Sequence, residues 1–569
     1  MYKIVLKAIV LCLLVPSVAL GQSTTDSLYT LPELTVVATR FEVPRDQLPA
    51  RVTRIDGELA QQMGARSLGE VLEQLGAGFI RRLGPAGLAG VSFRGAGPSQ
   101  TALLVDGQRL SDPQLGQVDL SLLPTILVSS IDLLHGGGAS RFGSDAVAGA
   151  INIETVERRE PGLQLTTIAG AFGERSISAV GAVGLGAGTL TVGTELSSEN
   201  GDFSFTDRST FPTRRTSRSN ADRQSVSAYA KLRRDGERSE TRIAAWVLAA
   251  ERGLPTVAGG AATGERQFDE IVRVWTSHAR SFARGSLQLQ ASAQRSSIRY
   301  LNPLLGVDDT GVTRSMVLDA SHGVLMTERT WIRVASDLSL QSADHPSLGS
   351  SASQVGAAPY VTGSVAVIDG FVMYPSLRYD FLLRDGGVTG ALSPSLRVRV
   401  ERKEFSPVAI KAGVERTFRS PTFNDLFWKG AGAEGDPGLV PEEGLSADVG
   451  LHSRVGGLRL EMTAFYQSVT NRIMWLPGTD GTWRPQNVGR TSSVGVEASA
   501  SGAFRFWRAK GRLFTGYELV RARDRSDPAS QTFGQPLRYV PEHTLRSNLA
   551  LDVGRLSAGF TMRFVGRRY

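Results

Sequence analysis

The chain of 569 residues holds one cysteine, Cys12, and outside its extreme N-terminus no apolar run reaches 18 residues. The first scarcity excludes internal disulfides and thiolate metal sites, and the second excludes a bundle of membrane-spanning helices. Histidine is nearly as rare, at six residues. His135 stands beside three glycines without Cys, Asp or Glu at ligand spacing, so it reads as a structural residue rather than a metal ligand. Gly136-Gly137-Gly138 lacks the GK[ST] continuation of a phosphate loop. No HExxH element, Walker motif or Ser-His-Asp grouping occurs, so no catalytic site, cofactor or metal is expected. The net charge of +8 is spread along the chain rather than gathered in a stripe, which argues against a nucleic-acid partner. What is abundant is glycine, at 63 residues, among many short alternating segments.

Residues 1–21 read as a signal peptide. Lys3 and Lys7 precede an apolar core from Ile9 to Val15, and Ala19-Leu20-Gly21 supplies small residues for cleavage. Cys12 lies inside that core rather than at its end, which argues against a lipoprotein anchor. Residues 22–45 read as a flexible N-terminus holding one strand-prone stretch, Glu33-Leu34-Thr35-Val36-Val37-Ala38-Thr39-Arg40. It is either an exposed strand available to another protein's sheet edge or the first strand of the next domain.

Residues 46–158 read as a compact α+β unit. Leu68, Val71, Leu72 and Leu75 recur at helical spacing before Gly78. Strand-like runs follow over Gly90–Gly95 and Thr101–Val105, then the turn signal Asp106-Gly107, a run from Ile126 to Leu134, and Ala150–Ile153.

From 159 to 569 the pattern is strands alone. Segments of about ten residues alternate in polarity, as Leu458, Leu460, Met462 and Ala464 do on one face. The links between them alternate too. Tight ones at Gly186–Gly188, Asp235-Gly236, Arg284-Gly285 and Thr327–Arg329 are interleaved with longer ones at Ser198–Gln224, Glu251–Glu270, Asn302–Arg314 and Asp344–Ala358. Short periplasmic turns opposite long external loops are a mark of outer-membrane barrels.

Taken in order, these pieces resemble the TonB-dependent receptor family over essentially the whole chain. Leu34 to Arg40 resembles the TonB box. Ser92-Phe93-Arg94-Gly95 with Leu104-Val105-Asp106-Gly107 resembles the plug's paired strands, and Gly136 to Asn152 its closing signature. Arg419-Ser420-Pro421-Thr422 through Asp425-Leu426, with Asp436–Leu439 and Pro441-Glu442, resembles a late barrel strand and its loop. The resemblance implies a transmembrane antiparallel β-barrel of the 22-stranded type enclosing an N-terminal α+β plug. It also implies active import of a scarce nutrient across the cell outer membrane. TonB, driven by the inner-membrane energising complex, would bind Glu33, Leu34, Thr35, Val36, Val37, Ala38 and Thr39. The receptor would be a monomer in outer-membrane lipid, taking a small-molecule chelate and making no bonds in it. Loop economy resembles the vitamin B12 and siderophore receptors, and the absence of histidine from Arg419 to Glu443 counts against haem. No substrate-contact residue is assigned.

About nineteen strands are countable, the last near Leu556 to Phe564 and running outward. Nineteen is odd, whereas bacterial barrels have even numbers. The expectation is a chain incomplete at its C-terminus, lacking about three strands. A passive porin, a signal-transducing receptor and a non-functional truncated receptor are the alternatives, and an enzyme ranks below them. The loop acids Glu199, Asp202 and Asp207 read as solvated rather than calcium-binding, and Trp475 and Trp483 as girdle residues at the membrane interface.

Overall fold

The computed structural model describes residues 48–568, except 77, 83–87, 209–210, 257–262, 350, 385–386, 402–407, 431 and 456, together with two short segments ahead of them. Those segments are Leu34–Thr35 and Val43–Pro44, which pair antiparallel with each other. The leader 1–21, Glu33 and the stretch Val36 to Thr39 lie outside the described residues.

The N-terminal unit is built around a five-stranded sheet. In spatial order its strands are Val52–Asp56, Val128–His135, Gly149–Thr155, Thr101–Val105 and Gln108–Arg109. Thr101–Val105 runs parallel to Gly149–Thr155, and the other pairs are antiparallel. Asp106 and Gly107, at φ 49° and 79°, form the two-residue turn of a hairpin, a conformation that suits Asp-Gly. The helix expected from its leucine spacing runs over Leu68–Gln74. Ser67 caps it by accepting from the Glu70 amide, and Leu68, Val71 and Leu72 face the core. One expectation fails. Ala89–Ser92 pairs with Phe79–Arg82 and not with Thr101–Val105, because a short 3-10 turn at Pro98–Gln100 separates the two segments.

The rest of the chain forms one antiparallel sheet of nineteen long strands, from Gly162–Ala169 to Leu556–Val565, in sequence order around the wall. Alternation sorts the faces. In Leu458–Pro477, Leu460, Met462 and Tyr466 are exposed outward, while Thr463, Phe465 and Gln467 are buried inward. The outward face is thus the apolar one, as lipid requires. No described helix is long and apolar enough to cross a membrane. Several polar stretches expected to be loops are instead ladder. Strands Gly285–Asn302 and Val307–Thr327 pair to their ends, leaving only 303–306 as the link. Polar residues there sit on paired backbone that projects beyond the apolar band. The first and last strands have one neighbour each among the described residues, and both run toward the external face.

The smaller unit lies inside this wall, as inter-unit bonds along most of the sheet demonstrate.

Candidate functional site: the plug, its latch and the external vestibule

Three plug segments converge on one wall carboxylate. Arg94 adopts φ 50° in Ser92–Gly95, which aims its guanidinium at the wall. Its Nε and Nη2 donate to Glu497 Oε1 and Oε2, both at 2.9 Å. Arg51 Nη1 donates to Oε2, also at 2.9 Å. His135 Nδ1 lies 3.4 Å from the same oxygen, and its Nε2 is 3.0 Å from Thr53 Oγ1. Arg94 further rests on the Phe465 ring, 4.3 Å from its centroid. The Arg94 and Glu497 side chains are only 1% and 2% exposed. A buried ion is tolerated only when its partners replace water, and Glu497 has three cationic or proton-donating groups around it. Burial holds the His135 imidazole below the usual histidine range, so it sits there neutral.

The glycines beside the latch let backbone meet wall. Gly95, at φ 83°, would place a Cβ 2.5 Å from Ala522 Cβ, and Gly136, at φ 89°, would place one 2.9 Å from Arg94 Nη1. The triple glycine is therefore a close-contact element. Gly137 N donates to Ser446 Oγ at 3.2 Å and Ser140 N to Glu415 Oε1 at 2.8 Å.

The contact continues with different chemistry around the plug. On this flank Glu518 accepts from the Gly78 amide at 2.8 Å, and Glu442 accepts from Gln100 at 2.6 Å. On the opposite flank Tyr229, Trp246, Ile271 and Trp275 join the plug's own hydrophobic core. Even there Lys231 Nζ lies 3.1 Å from Asp106, and Trp275 Nε1 donates to the same carboxylate at 2.9 Å.

The Arg419-Ser420-Pro421-Thr422 motif turns an external loop inward. Thr422 caps the helix Phe423–Phe427 in a reciprocal box with Asp425. Arg419 donates to Glu442 at 2.9 Å, and Trp475 Nε1 to Asp425 Oδ1 at 3.0 Å. Trp475 thus braces a loop and is not a girdle residue as expected, whereas Trp483 is half exposed. The helix lands on the plug, where Phe423 N donates to Pro113 O at 3.0 Å.

Beneath this loop the plug apex 110–118 and the wall enclose a cavity of about 290 Å³. Asp112, Asp119, Asp269 and Asp309 line it, against a single guanidinium, Arg252, while Glu270 at its margin faces outward beside Arg295. The Arg252 guanidinium is itself held by Asp119 at 2.7 Å and Asp269 at 3.3 Å. The His345 and Trp428 rings meet at the rim, tilted by 35° with centroids 5.1 Å apart. Asp112 accepts from the Gln114 and Leu115 amides, yet burial dominates and pushes its carboxyl up to about 6. Among the described residues no three His, Cys, Asp or Glu side chains gather as a metal site would require, and Glu199 faces Arg66 at 3.2 Å.

The TonB-box positions take no part in these contacts as far as they are described. Leu34 and Thr35 form only the short pair with Val43–Pro44. The latch was not legible in advance, since Arg51 and Glu497 are 446 residues apart. Its one sequence signal is an acid, Glu497, in the otherwise uncharged run Thr491–Ala503.

Comparison with known proteins agrees with this geometry. Residues 168–569 match the family model "TonB dependent receptor-like, beta-barrel", and residues 44–150 match the "TonB-dependent Receptor Plug Domain". The vitamin B12 transporter BtuB of Vibrio vulnificus (strain YJ016) is 22% identical over 82% of this chain and 75% of its own. BtuB of Photobacterium profundum is 24% identical over 86% and 79%. Among solved structures, a variant of the ferric enterobactin receptor PfeA from Pseudomonas aeruginosa superposes with a TM-score of 0.73 at 17% identity, covering 94% of this chain and 88% of that one. The siderophore receptor PirA from the same organism gives 0.70 at 17%, with 91% of each chain covered. A wall of antiparallel strands, a folded plug latched inside it and two matching family models make this chain a member of the TonB-dependent receptor family, outer-membrane proteins that import nutrients actively.

Proposed function

We propose that the imported nutrient is a neutral or cationic chelate of the cobalamin kind rather than an anionic ferric siderophore. The acidic lining of the external cavity carries this reading. Four carboxyl groups against one already paired arginine would repel a multiply charged catecholate complex, because like charges brought together in a partly dry site cost several kcal/mol. An amide-rich or cationic ligand would instead find acceptors. The similarity to vitamin B12 transporters points the same way.

Glu33, Leu34, Thr35, Val36, Val37, Ala38 and Thr39 add to TonB as an extra strand, and force from the inner-membrane complex is transmitted through them to the plug. The leader 1–21 directs export. The receptor works as a monomer, its apolar outward face solvated by outer-membrane lipid. It binds and passes its substrate without altering a bond in it.

The test is a binding titration of the full-length receptor in detergent, measured by isothermal titration calorimetry, with cyanocobalamin and with a ferric tris-catecholate. Tighter binding of the corrinoid by tenfold or more is expected. Catecholate binding in the nanomolar range with no corrinoid response would overturn the assignment.

A further inference from the structure

A further opening lies on the outside of the wall, away from the plug and vestibule. It is an open groove of about 690 Å³ near the external ends of the strands Trp483–Phe506 and Ala509–Asp524. Arg490, Arg521, Arg523 and Arg525 line it, with no acid in the lining. Three of them belong to the lipid-facing register of these strands, and Arg525 stands just past a strand end. On one strand Glu497 and Ser493 point to the plug, so Arg490, Ser492 and Val494 point outward. On the other, Ala522 and Glu518 point inward, so Arg521 and Arg523 point outward, and Arg525 follows just past the strand's end in the same lining.

Height fixes what the groove meets. From Ala509, beside a tight periplasmic turn, to Leu519 is ten residues, which at a rise of ~3.4 Å and a tilt of ~40° climbs about 26 Å. The apolar band of an outer-membrane barrel is about 25 Å tall, so Arg521 stands just above it, at the level of the outer-leaflet headgroups. Below the arginines the groove floor turns apolar, with Val494 and Tyr466 exposed.

The charges are largely uncompensated. Arg521 donates to Glu542 at 2.7 Å, but among the described residues none of the other three forms an ion pair. Arg523 donates to the Gly534 carbonyl, and Arg525 lies over Phe533, 5.5 Å from the ring centroid. Planar guanidinium forks bind phosphate oxygens two at a time, which suits a fixed headgroup better than diffuse screening ions do. Basic pockets at headgroup depth bind anionic lipids by the same physics.

We propose that this groove is a binding site for a phosphorylated outer-leaflet lipid, its phosphate held by Arg490, Arg521, Arg523 and Arg525 and its acyl chains lying on Val494 and Tyr466. The apolar floor directly under the cations is what favours a lipid over free phosphate.

The experiment uses the full-length receptor, delipidated in detergent and titrated with bis-phosphorylated lipid A under native mass spectrometry. One tightly bound lipid per chain is expected. The quadruple variant Arg490→Gln, Arg521→Gln, Arg523→Gln, Arg525→Gln should bind it at least tenfold more weakly. The double variant Arg523→Gln, Arg525→Gln keeps the Arg521–Glu542 pair and serves if the quadruple variant fails to fold; it should lose affinity by a smaller but measurable factor. Dephosphorylated lipid A should bind no better to the wild type than to either variant. Equal binding of lipid A to wild type and double variant overturns the proposal. So does complete displacement of the lipid by millimolar inorganic phosphate, which would make this a free-anion site.

Discussion

Arg94 of the plug and Glu497 of the wall, 403 residues apart in the chain, share two hydrogen bonds of 2.9 Å in a side-on fork. Arg51 holds the same carboxylate from a second plug segment. Removing one member of such a buried pair leaves its partners charged and dry, at a cost of about 3–5 kcal/mol. Glu497→Ala is therefore expected to loosen the plug while leaving the wall folded. Planar-bilayer recording should register raised resting conductance, and cells should become more sensitive to large antibiotics. Arg94→Lys should give a partial version, since a point charge cannot make the fork. Unchanged conductance in Glu497→Ala would mean that the plug is seated by its other contacts alone.

Proline cannot donate to a strand ladder, so Leu34→Pro or Val36→Pro should block capture of the N-terminal segment by TonB. Uptake of labelled substrate should fall to the level of a TonB-deficient strain, while substrate affinity at the cell surface stays within about twofold. Loss of binding together with uptake would place these residues in a different role.

Asp112 provides a test by pH. Its folded carboxyl titrates at about 6, above the ordinary range near 4, so the folded protein binds the proton more tightly than the unfolded chain. The contribution to stability is full below pH ~4 and is lost as pH rises through ~6, on the order of 2–3 kcal/mol. Asp112→Asn should thus become more stable relative to wild type as pH rises from 4 to 6, with the difference constant above about 7. Thermal unfolding scans across that range measure it. A cationic ligand should bind the wild type better above pH 6 than below, a dependence the variant lacks.

The two edge strands, Gly162–Ala169 and Leu556–Val565, run in the same direction. Joining them directly would be a parallel pairing, unlike the antiparallel pairs between the long strands of the wall. Open edges in lipid leave peptide groups unpaired at several kcal/mol each. In a Cys12-free background, Thr166→Cys with Thr561→Cys is accordingly expected not to cross-link in membranes. Efficient disulfide formation between them would mean that these strands abut.

Much of this architecture could be read from residue order. The helix Leu68–Gln74, the alternating faces and a nineteenth strand ending near Val565 all follow from periodicities of 3.6 and 2, which are local properties. Pairing partners are not local. Ala89–Ser92 bonds with Phe79–Arg82 for reasons of chain path that no window of residues contains. Polar strand extensions such as Val307 to Arg314 read as loop, because propensity is sensitive to side chains while ladder hydrogen bonds are made by the backbone. The cavity acids escaped notice for a similar reason. Asp112, Asp269 and Asp309 each look like an ordinary loop or strand-end carboxylate until the wall brings them together.

The plug's uneven grip on its surroundings also sets the direction in which it yields. Aromatic side chains on the Tyr229–Trp275 flank lose contact steeply with distance and regain nothing from water, whereas the carboxylates and guanidinia near Glu497 are welcomed by it. Under tension, solvent enters the ionic side first and wets it cheaply, with the oily side serving as the hinge. The resulting gap is a crescent along one arc of the cylinder, and its width limits the bulk of any cargo.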